Sequence, residues 1–363
     1  MMKKLRQLWK FLSRRFVLFL LYFVLPILVG WFMYAIFSAS LPRDLPIGLV
    51  DLDRTSASAD VRFAINASPT MYIKREYGSI MEAKAHLASA EIYALAVIPH
   101  HFERDLTLGK GAKLALYYNA QFVLVGKALN SAFAQVVGTL DAKQSVAQNL
   151  IKDGDLHLAL SKAMPIFSQI IPLYNASSNY AQFLLTLLLP CMLQILSALA
   201  MIQLLKSAPH SFKSLFIRYV GNTMVFMWWG ICMLLLLKNL GFEVRGSFGL
   251  LVLGLGVLLL GINGVVVCLQ ALLLDIKKTI GVVAVYTAPS LAFAGVTYPQ
   301  NSMNLLALFW SKLLPISSFM ELYIQQANYG GSVSGAWQIL GQMGVFVLFF
   351  ALGSLIYHAR RGR

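Results

Sequence analysis

Leu45-Pro-Ile-Gly-Leu-Val-Asp-Leu-Asp-Arg-Thr55 is the stretch on which the fold turns. Its apolar run Ile47–Asp51 ends in acidic turn residues and reads as a β-strand. The strand begins just after a long apolar segment, Phe16–Phe37, and the next apolar segment starts only at Phe183. At 1.5 Å per residue the first segment is about 33 Å long as a helix, enough to cross a bilayer. A cleaved signal peptide ending at Ser38-Ala39-Ser40 is the competing reading, but the stretch exceeds the usual ~7–15 apolar residues of such a peptide.

Outward from the strand, turns and apolar runs alternate. Ser56–Asn66 has helical spacing, Met71–Arg75 reads as a strand, and Ser79 with Glu82 forms a capping box for a helix to about Ala90. Ile92–Ile98 is the next strand, ended by Pro99. Phe102–Leu108 is a helical turn stopped by Gly109, and Lys113–Tyr118 a fourth strand. Val123–Ile151 follows as one long helix, and Ile166–Tyr174 as a returning strand. Such alternation predicts a compact α/β domain over 38–182. Asp51 and Asp53 share a strand face as paired carboxylates would, but turn and cap duty at a strand end is the preferred reading.

Further spans are predicted at Phe183–Leu205, Val220–Leu237, Phe248–Leu274, Thr279–Ala294 and Trp337–Tyr357. The fifth is short. Pro289 and the Ala294-Gly295 step predict that it breaks and continues as a re-entrant hairpin at about 295–315. The expected fold is therefore an α-helical polytopic membrane protein with six transmembrane helices and an inserted α/β extracytoplasmic domain. Residues 183–363 would hold five of those helices. Residues 1–15, with Leu5, Leu8, Trp9 and Leu12 on one face, are expected to lie in the interface as an amphipathic elbow helix.

Composition agrees with a lipid bilayer as solvent. Of 363 residues, 58% are hydrophobic and 12% charged, against about 25% charged in soluble domains. The net charge of +15 does not imply nucleic acid, because the bases lie beside spans rather than in blocks or stripes. They gather at the N-terminus, at Lys206–Arg218, at Lys277-Lys278 and at Arg360–Arg363, which puts both termini on the cytoplasmic side and the insert outside. Cys191, Cys232 and Cys268 all fall in apolar runs and form no CxxC pair. His100-His101 lacks a third ligand at metal-binding spacing, so no metal site is expected. Asn66-Ala-Ser68 and Asn175-Ala-Ser177 fit the glycosylation triplet, a short pattern that arises often by chance.

Polar residues inside spans are costly and mark pathways or helix contacts. Gln194, Gln203, Asn263 and Gln270 are the candidates for a substrate path, with Asn222 at the start of the third span; bonding between helices is the commoner role for such residues. Gly254, Gly256, Gly261 and Gly264 are expected to allow close packing. Phe226, Trp228 and Trp229 are candidates to line an apolar cavity.

The order of these pieces resembles the permease subunit of an ABC-2 type exporter, in the subset with a large external domain after the first span. The resemblance is carried by Gly48-Leu-Val-Asp-Leu-Asp-Arg-Thr55, Glu82-Ala-Lys-Ala-His-Leu87, Ala94-Leu-Ala-Val-Ile-Pro99 and Phe102-Glu-Arg-Asp-Leu-Thr-Leu-Gly109. Near the C-terminus, Ala294-Gly-Val-Thr-Tyr-Pro299, Met303 and Leu314-Pro315-Ile-Ser resemble the family's external gate hairpin. Two places depart from the pattern. Lys206–Arg218 is basic where the family often carries an acidic motif, and Asn304 follows Met303 where a proline is common.

The resemblance implies a bacterial inner-membrane exporter of an apolar or amphipathic substrate: a drug-like compound, a lipid or a peptide. It implies a second permease, a homodimer mate or a paralogue, and a docked periplasmic adaptor with an outer-membrane channel. The chain has no GxxxxGK[ST] phosphate loop, so it is not expected to be an enzyme or to hold a cofactor. ATP and Mg would sit on a separate ABC ATPase, coupled through Phe212, Lys213, Leu215, Phe216 and Arg218. Thr297, Tyr298 and Pro299 would form the external gate. The competing class is a membrane-anchored sensor or assembly factor whose external domain binds a ligand or partner without transport.

Overall fold

The computed structural model describes residues 15–37, 43–108, 112–153, 179–207, 209, 211–242 and 244–361. The elbow helix expected at 1–15, apart from Arg15, and the returning strand Ile166–Tyr174 lie outside the described residues. The chain divides into two compact units: Leu41–Ile171, and Met1–Ser40 together with Pro172–Arg363.

In the first unit, β1 (Leu45–Asp51), α2 (Ser56–Asn66), β2 (Met71–Glu76), α3 (Ile80–Ala88), β3 (Ala94–Ile98), α4 (Phe102–Thr107), β4 (Ala115–Tyr118) and α5 (Val123–Asp153) follow in order; α1 belongs to the second unit. The sheet order is β2-β1-β3-β4. β1 pairs in parallel with β2 and β3, and β4 closes the edge antiparallel to β3. Parallel neighbours require crossovers, and α2 and α3 supply them. Side chains of α2, α4 and α5 (Val61, Ile65, Phe102, Leu129, Phe133) cover Ile47, Leu49, Ala96 and Ile98 on one face. Ala83 of α3 and Tyr77 cover Val50, Leu95 and Val97 on the other. Covering both faces explains why β1 and β3 read as continuous apolar runs rather than alternating ones. Gly48 is needed for this packing: a Cβ there would lie 2.7 Å from the Tyr77 ring and 2.8 Å from Ile92 Cδ1.

The aspartates that end β1 organise the turn. The Asp51 carboxylate accepts from the Asp53 and Arg54 N–H groups at 3.0 and 2.9 Å and from Ser58 Oγ at 2.7 Å. The Asp53 carboxylate accepts from Thr55 Oγ1 at 2.6 Å and from the Phe102 and Glu103 N–H groups at 3.0 Å each. Asp53 thus caps α4, whose own N-cap residue, His101, makes no side-chain cap bond and sits in the left-handed region at φ 65°. Desolvation pushes the Asp53 carboxyl upward, but the hydrogen bonds from Thr55 and the α4 backbone outweigh it and hold the group below its ordinary value.

The second unit is helical. α1 (Arg15–Phe37) contains a π turn at Leu20–Val24. α6 (Tyr180–Leu205), α7 (Phe212–Asn239) and α8 (Phe248–Leu273) are each long and apolar enough to cross a membrane. α8 is central, packing on α6 and α7, and Asn222 falls inside α7 rather than at its start. α7 starts earlier than the expected Val220, because Ser211 caps it by accepting from the Ser214 N–H.

The fifth expected span, Thr279–Ala294, is not one helix. α9 (Ile276–Thr287) is 12 residues, about 18 Å at 1.5 Å per residue against a ~30 Å hydrocarbon core. It ends before Pro289, and α10 (Ser290–Phe293) is a separate turn. Proline at that point has no N–H to continue the ladder. After a 3-10 turn at Gln300–Ser302, α11 (Leu305–Lys312) meets α12 (Pro315–Ile324, continued by a π turn to Tyr329) at 90°. Ser311 and Ser317 hydroxyls both donate to the Phe293 carbonyl, at 2.8 and 3.1 Å, closing this hairpin on the end of α10. The last span is α13 (Val333–Gly344) and α14 (Leu348–Arg361), joined by a 3-10 turn. Among the described residues five helices are span-length, or six if the bent pair counts as one.

The glycines of α8 differ in what they permit. A Cβ on Gly264 would lie 3.0 Å from the Phe350 backbone nitrogen, and one on Gly353 of α14 would lie 2.6 Å from that of Cys268. Those residues let α8 and α14 touch backbone to backbone. Gly256 meets only Met227 at ordinary contact distance and is not required for packing.

Candidate functional site

Four helices meet at a buried polar knot. Asn222 of α7 accepts from the Tyr22 hydroxyl of α1 at 3.0 Å and donates to the Ser197 carbonyl and Oγ of α6 at 3.0 and 3.2 Å. It also donates to Asn263 Oδ1 of α8 at 3.1 Å. Asn263 accepts a second bond from Ser197 Oγ at 3.0 Å and donates to Thr223 Oγ1 at 3.1 Å. The Trp229 indole donates to the Tyr22 carbonyl at 2.7 Å, within the π turn of α1. In an apolar interior each such group needs a partner, and here each helix supplies the next one's.

Gln194 lies elsewhere. Its amide donates to Ser290 Oγ at 2.9 Å, tying α6 to the broken end of the short helix, while its Oε1 is buried without a partner among the described residues. Gln270 has a buried, unpartnered Oε1 as well, and Gln203 is buried on α6 about 13 Å along the axis from Gln194. The four path candidates therefore make no hydrogen bonds to one another. The knot partners Tyr22, Ser197 and Thr223 were missed by sequence. Ser197 and Thr223 carried a signal, a hydroxyl near an amide in an apolar run; Tyr22, some 200 positions from Asn222, carried none.

Of the three aromatic candidates, Phe226 is fully buried and Trp228 is exposed. Trp229 lines an apolar cavity of about 220 Å³ with Gly30, Trp31, Leu193 and Cys232.

One end of this unit is capped by bases. Arg218 Nη1 donates to the Leu204 carbonyl at 2.9 Å and to the Ser207 carbonyl, closing the C-terminus of α6. Arg360 Nη1 donates to the Leu272 carbonyl at 2.6 Å, closing α8. Cations at helix C-termini satisfy free carbonyls and the macrodipole together. At the same end, Asp275 caps α9 through the Lys277 and Lys278 N–H groups. Phe212 to Arg218 lie on the first turns of α7 rather than in a loop. Phe212 and Phe216 are about half exposed and stack at 6.1 Å, both against Phe350. Lys213 is exposed. Leu215 is wholly buried beside Tyr219 and Ile262, so it packs the bundle instead of meeting a partner.

At the hairpin, Thr297 Oγ1 donates to the Leu291 carbonyl at 3.1 Å and the Tyr298 hydroxyl to the Ser302 carbonyl, so both side chains hold the turn they sit in. Pro299 precedes the 3-10 turn. Among the described residues no three His, Cys, Asp or Glu side chains converge as a metal site.

Comparison with curated proteins gives no match for this chain. Against protein families, residues 16–356 match the ABC-2 family transporter protein. That range takes in the first span, the sheet unit, the knot, the broken hairpin and the first part of α14. The chain belongs to the ABC-2 family of transporter proteins, as a multi-pass permease component of an ABC transporter.

Proposed function

We propose that the chain is the permease of an ATP-driven exporter for apolar or amphipathic substrates, paired with a second permease and driven by a separate ABC ATPase that holds ATP and Mg. The observation that carries the reading is the polar layer of the helical unit, built from neutral amides and hydroxyls. α6 and α8 contain no charged residue at all, and a path for a charged substrate would need intramembrane counter-charges. Within that layer Asn263 holds the helices in register. Gln194 and Gln270, each with a free acceptor, are the groups available to a passing substrate, and Gln203 continues their line along α6.

The end capped by Arg218 and Arg360 is the cytoplasmic face, as the positive-inside rule requires, and the sheet unit lies outside. Phe212, Lys213 and Phe216 then form the surface offered to the ATPase, with Arg218 and Leu215 holding it in place. Thr297, Tyr298 and Pro299 shape the external hairpin.

The test is purification of the chain from its native membrane with identification of any bound ATPase, followed by reconstitution. The reading predicts ATP hydrolysis stimulated by the permease, lowered at least severalfold in Phe216→Ala with Lys213→Ala. No bound ATPase, or stimulation indifferent to both substitutions, would refute it.

A further inference from the structure

At the end of the helical unit opposite the arginine caps lies a cavity of about 240 Å³. Phe183 and Thr186 line it on α6, Met320 and Tyr323 on α12, and Phe242 and Val296 close it. Val296 belongs to the hairpin, one residue past Gly295, whose φ of +85° makes the bend. No charged residue lines this cavity.

Tyr323 is the unexplained group. It is 4% exposed, and its hydroxyl makes no hydrogen bond among the described residues. The residue is buried but its oxygen is not sealed off, and the cavity wall is where that oxygen can be reached. Thr186 donates its own proton back to the Gln182 carbonyl at 2.8 Å, so it presents only an acceptor. Asn328, also on the cavity wall, has no side-chain hydrogen bond among the described residues. Gln182 also lines the wall, and the remaining lining residues, Phe183, Phe242, Val296, Met320, Ile324 and Ala327, are apolar. The volume falls below the ~300–1,000 Å³ of sites for drug-sized ligands, so it holds a small ring or one end of a longer molecule.

We propose that this cavity binds the oxygen-bearing end of an uncharged amphiphile, with Tyr323 donating to a carbonyl or ether oxygen and the apolar body lying against Phe183 and Met320. As a station on the export path the proposal rests on the permease reading; as a binding site it does not. The experiment therefore needs no ATPase. The full chain in lipid nanodiscs is titrated with 4-(trifluoromethyl)acetophenone and with 4-(trifluoromethyl)ethylbenzene, which lacks the acceptor, and binding is read by fluorine NMR against empty nanodiscs. Tyr323→Phe should weaken ketone binding about fivefold, the value of one hydrogen bond, and leave the hydrocarbon unchanged. Val296→Trp should abolish binding of both while the chain keeps its size-exclusion profile. Ketone uptake no greater than that of empty nanodiscs overturns the site. Ketone binding unchanged in Tyr323→Phe overturns the assignment of Tyr323, and binding unchanged in Val296→Trp overturns the location.

Discussion

Replacing Asn222 by leucine keeps the side-chain size and removes the centre of the polar knot. Lost with it are the bond from Tyr22, the bonds to the Ser197 carbonyl and hydroxyl, and the bond to Asn263. The amide has only two hydrogens for those last three acceptors, so about three full bonds are at stake. Hydrogen bonds between membrane helices average about 0.6 kcal/mol and reach about 1.7. The expected loss is therefore about 2 kcal/mol, or about thirtyfold in the folded ratio. Equilibrium unfolding of the full chain in mixed micelles of dodecyl maltoside and sodium dodecyl sulfate reads this directly. Asn263→Leu removes an overlapping set, so the double variant should cost less than the sum of the two singles by at least about 0.5 kcal/mol. A shift below about 0.5 kcal/mol for Asn222→Leu, or strict additivity, would show that the four helices are held by packing alone.

The Asp53 cap makes a pH-dependent claim. Its carboxyl is held below the ordinary value, so its stabilisation is complete above the unfolded aspartate pKa, about 3.9, and is lost as pH falls through the lower folded value. Asp53→Ala should cost about 1–2 kcal/mol locally at neutral pH, seen as faster hydrogen exchange at the Phe102 and Glu103 amides in the intact chain. If those amides exchange no faster, Asp53 is not the cap. Gly353→Leu should leave little folded protein, because its Cβ meets the Cys268 backbone, whereas Gly256→Ala should unfold within about 0.5 kcal/mol of the parent. Equal behaviour of the two would remove the argument for backbone contact between α8 and α14.

The sheet unit was the more legible part. Runs such as Ala94–Ile98 and caps such as Ser79 are local signals, and each described element lies close to its expected place. The Glu82 side chain, however, pairs with Arg75 instead of completing the expected capping box. Strand order is not local: that β1 pairs with both β2 and β3 depends on which helices cover which face. The start of α7 was misplaced for a different reason. Lys213 and Arg218 look like the flank of a span, and only the structure shows Arg218 folded back on the carbonyls of α6. The candidate path residues were visible as polar letters in apolar runs, but their partners were not. Nothing near Gln194 in sequence distinguishes it from Asn263, although one keeps an unpartnered acceptor and the other accepts two bonds.

The fifth span, read from the sequence as short and broken at Pro289, shows what apolarity alone leaves out. Thr279–Ala294 is an apolar run of 16 residues, and crossing a bilayer requires not only length but that every backbone donor and acceptor find a partner. Pro289 withdraws a donor in mid-run, and α10 then ends at Phe293, so the carbonyls of its last turn must be satisfied from elsewhere. Ser311 and Ser317 meet that demand at Phe293, and Thr297 meets it at Leu291. All three lie downstream, so the chain has to turn back to deliver them, and Gly295 is the residue that lets it turn. Exchanging those three hydroxyl residues for alanine and valine would leave the Thr279–Ala294 run unchanged and make the hairpin after it more apolar. The same change would strip the partners from the Leu291 and Phe293 carbonyls. The hairpin is thus specified by hydrogen-bond supply, a quantity that an apolarity scan does not measure.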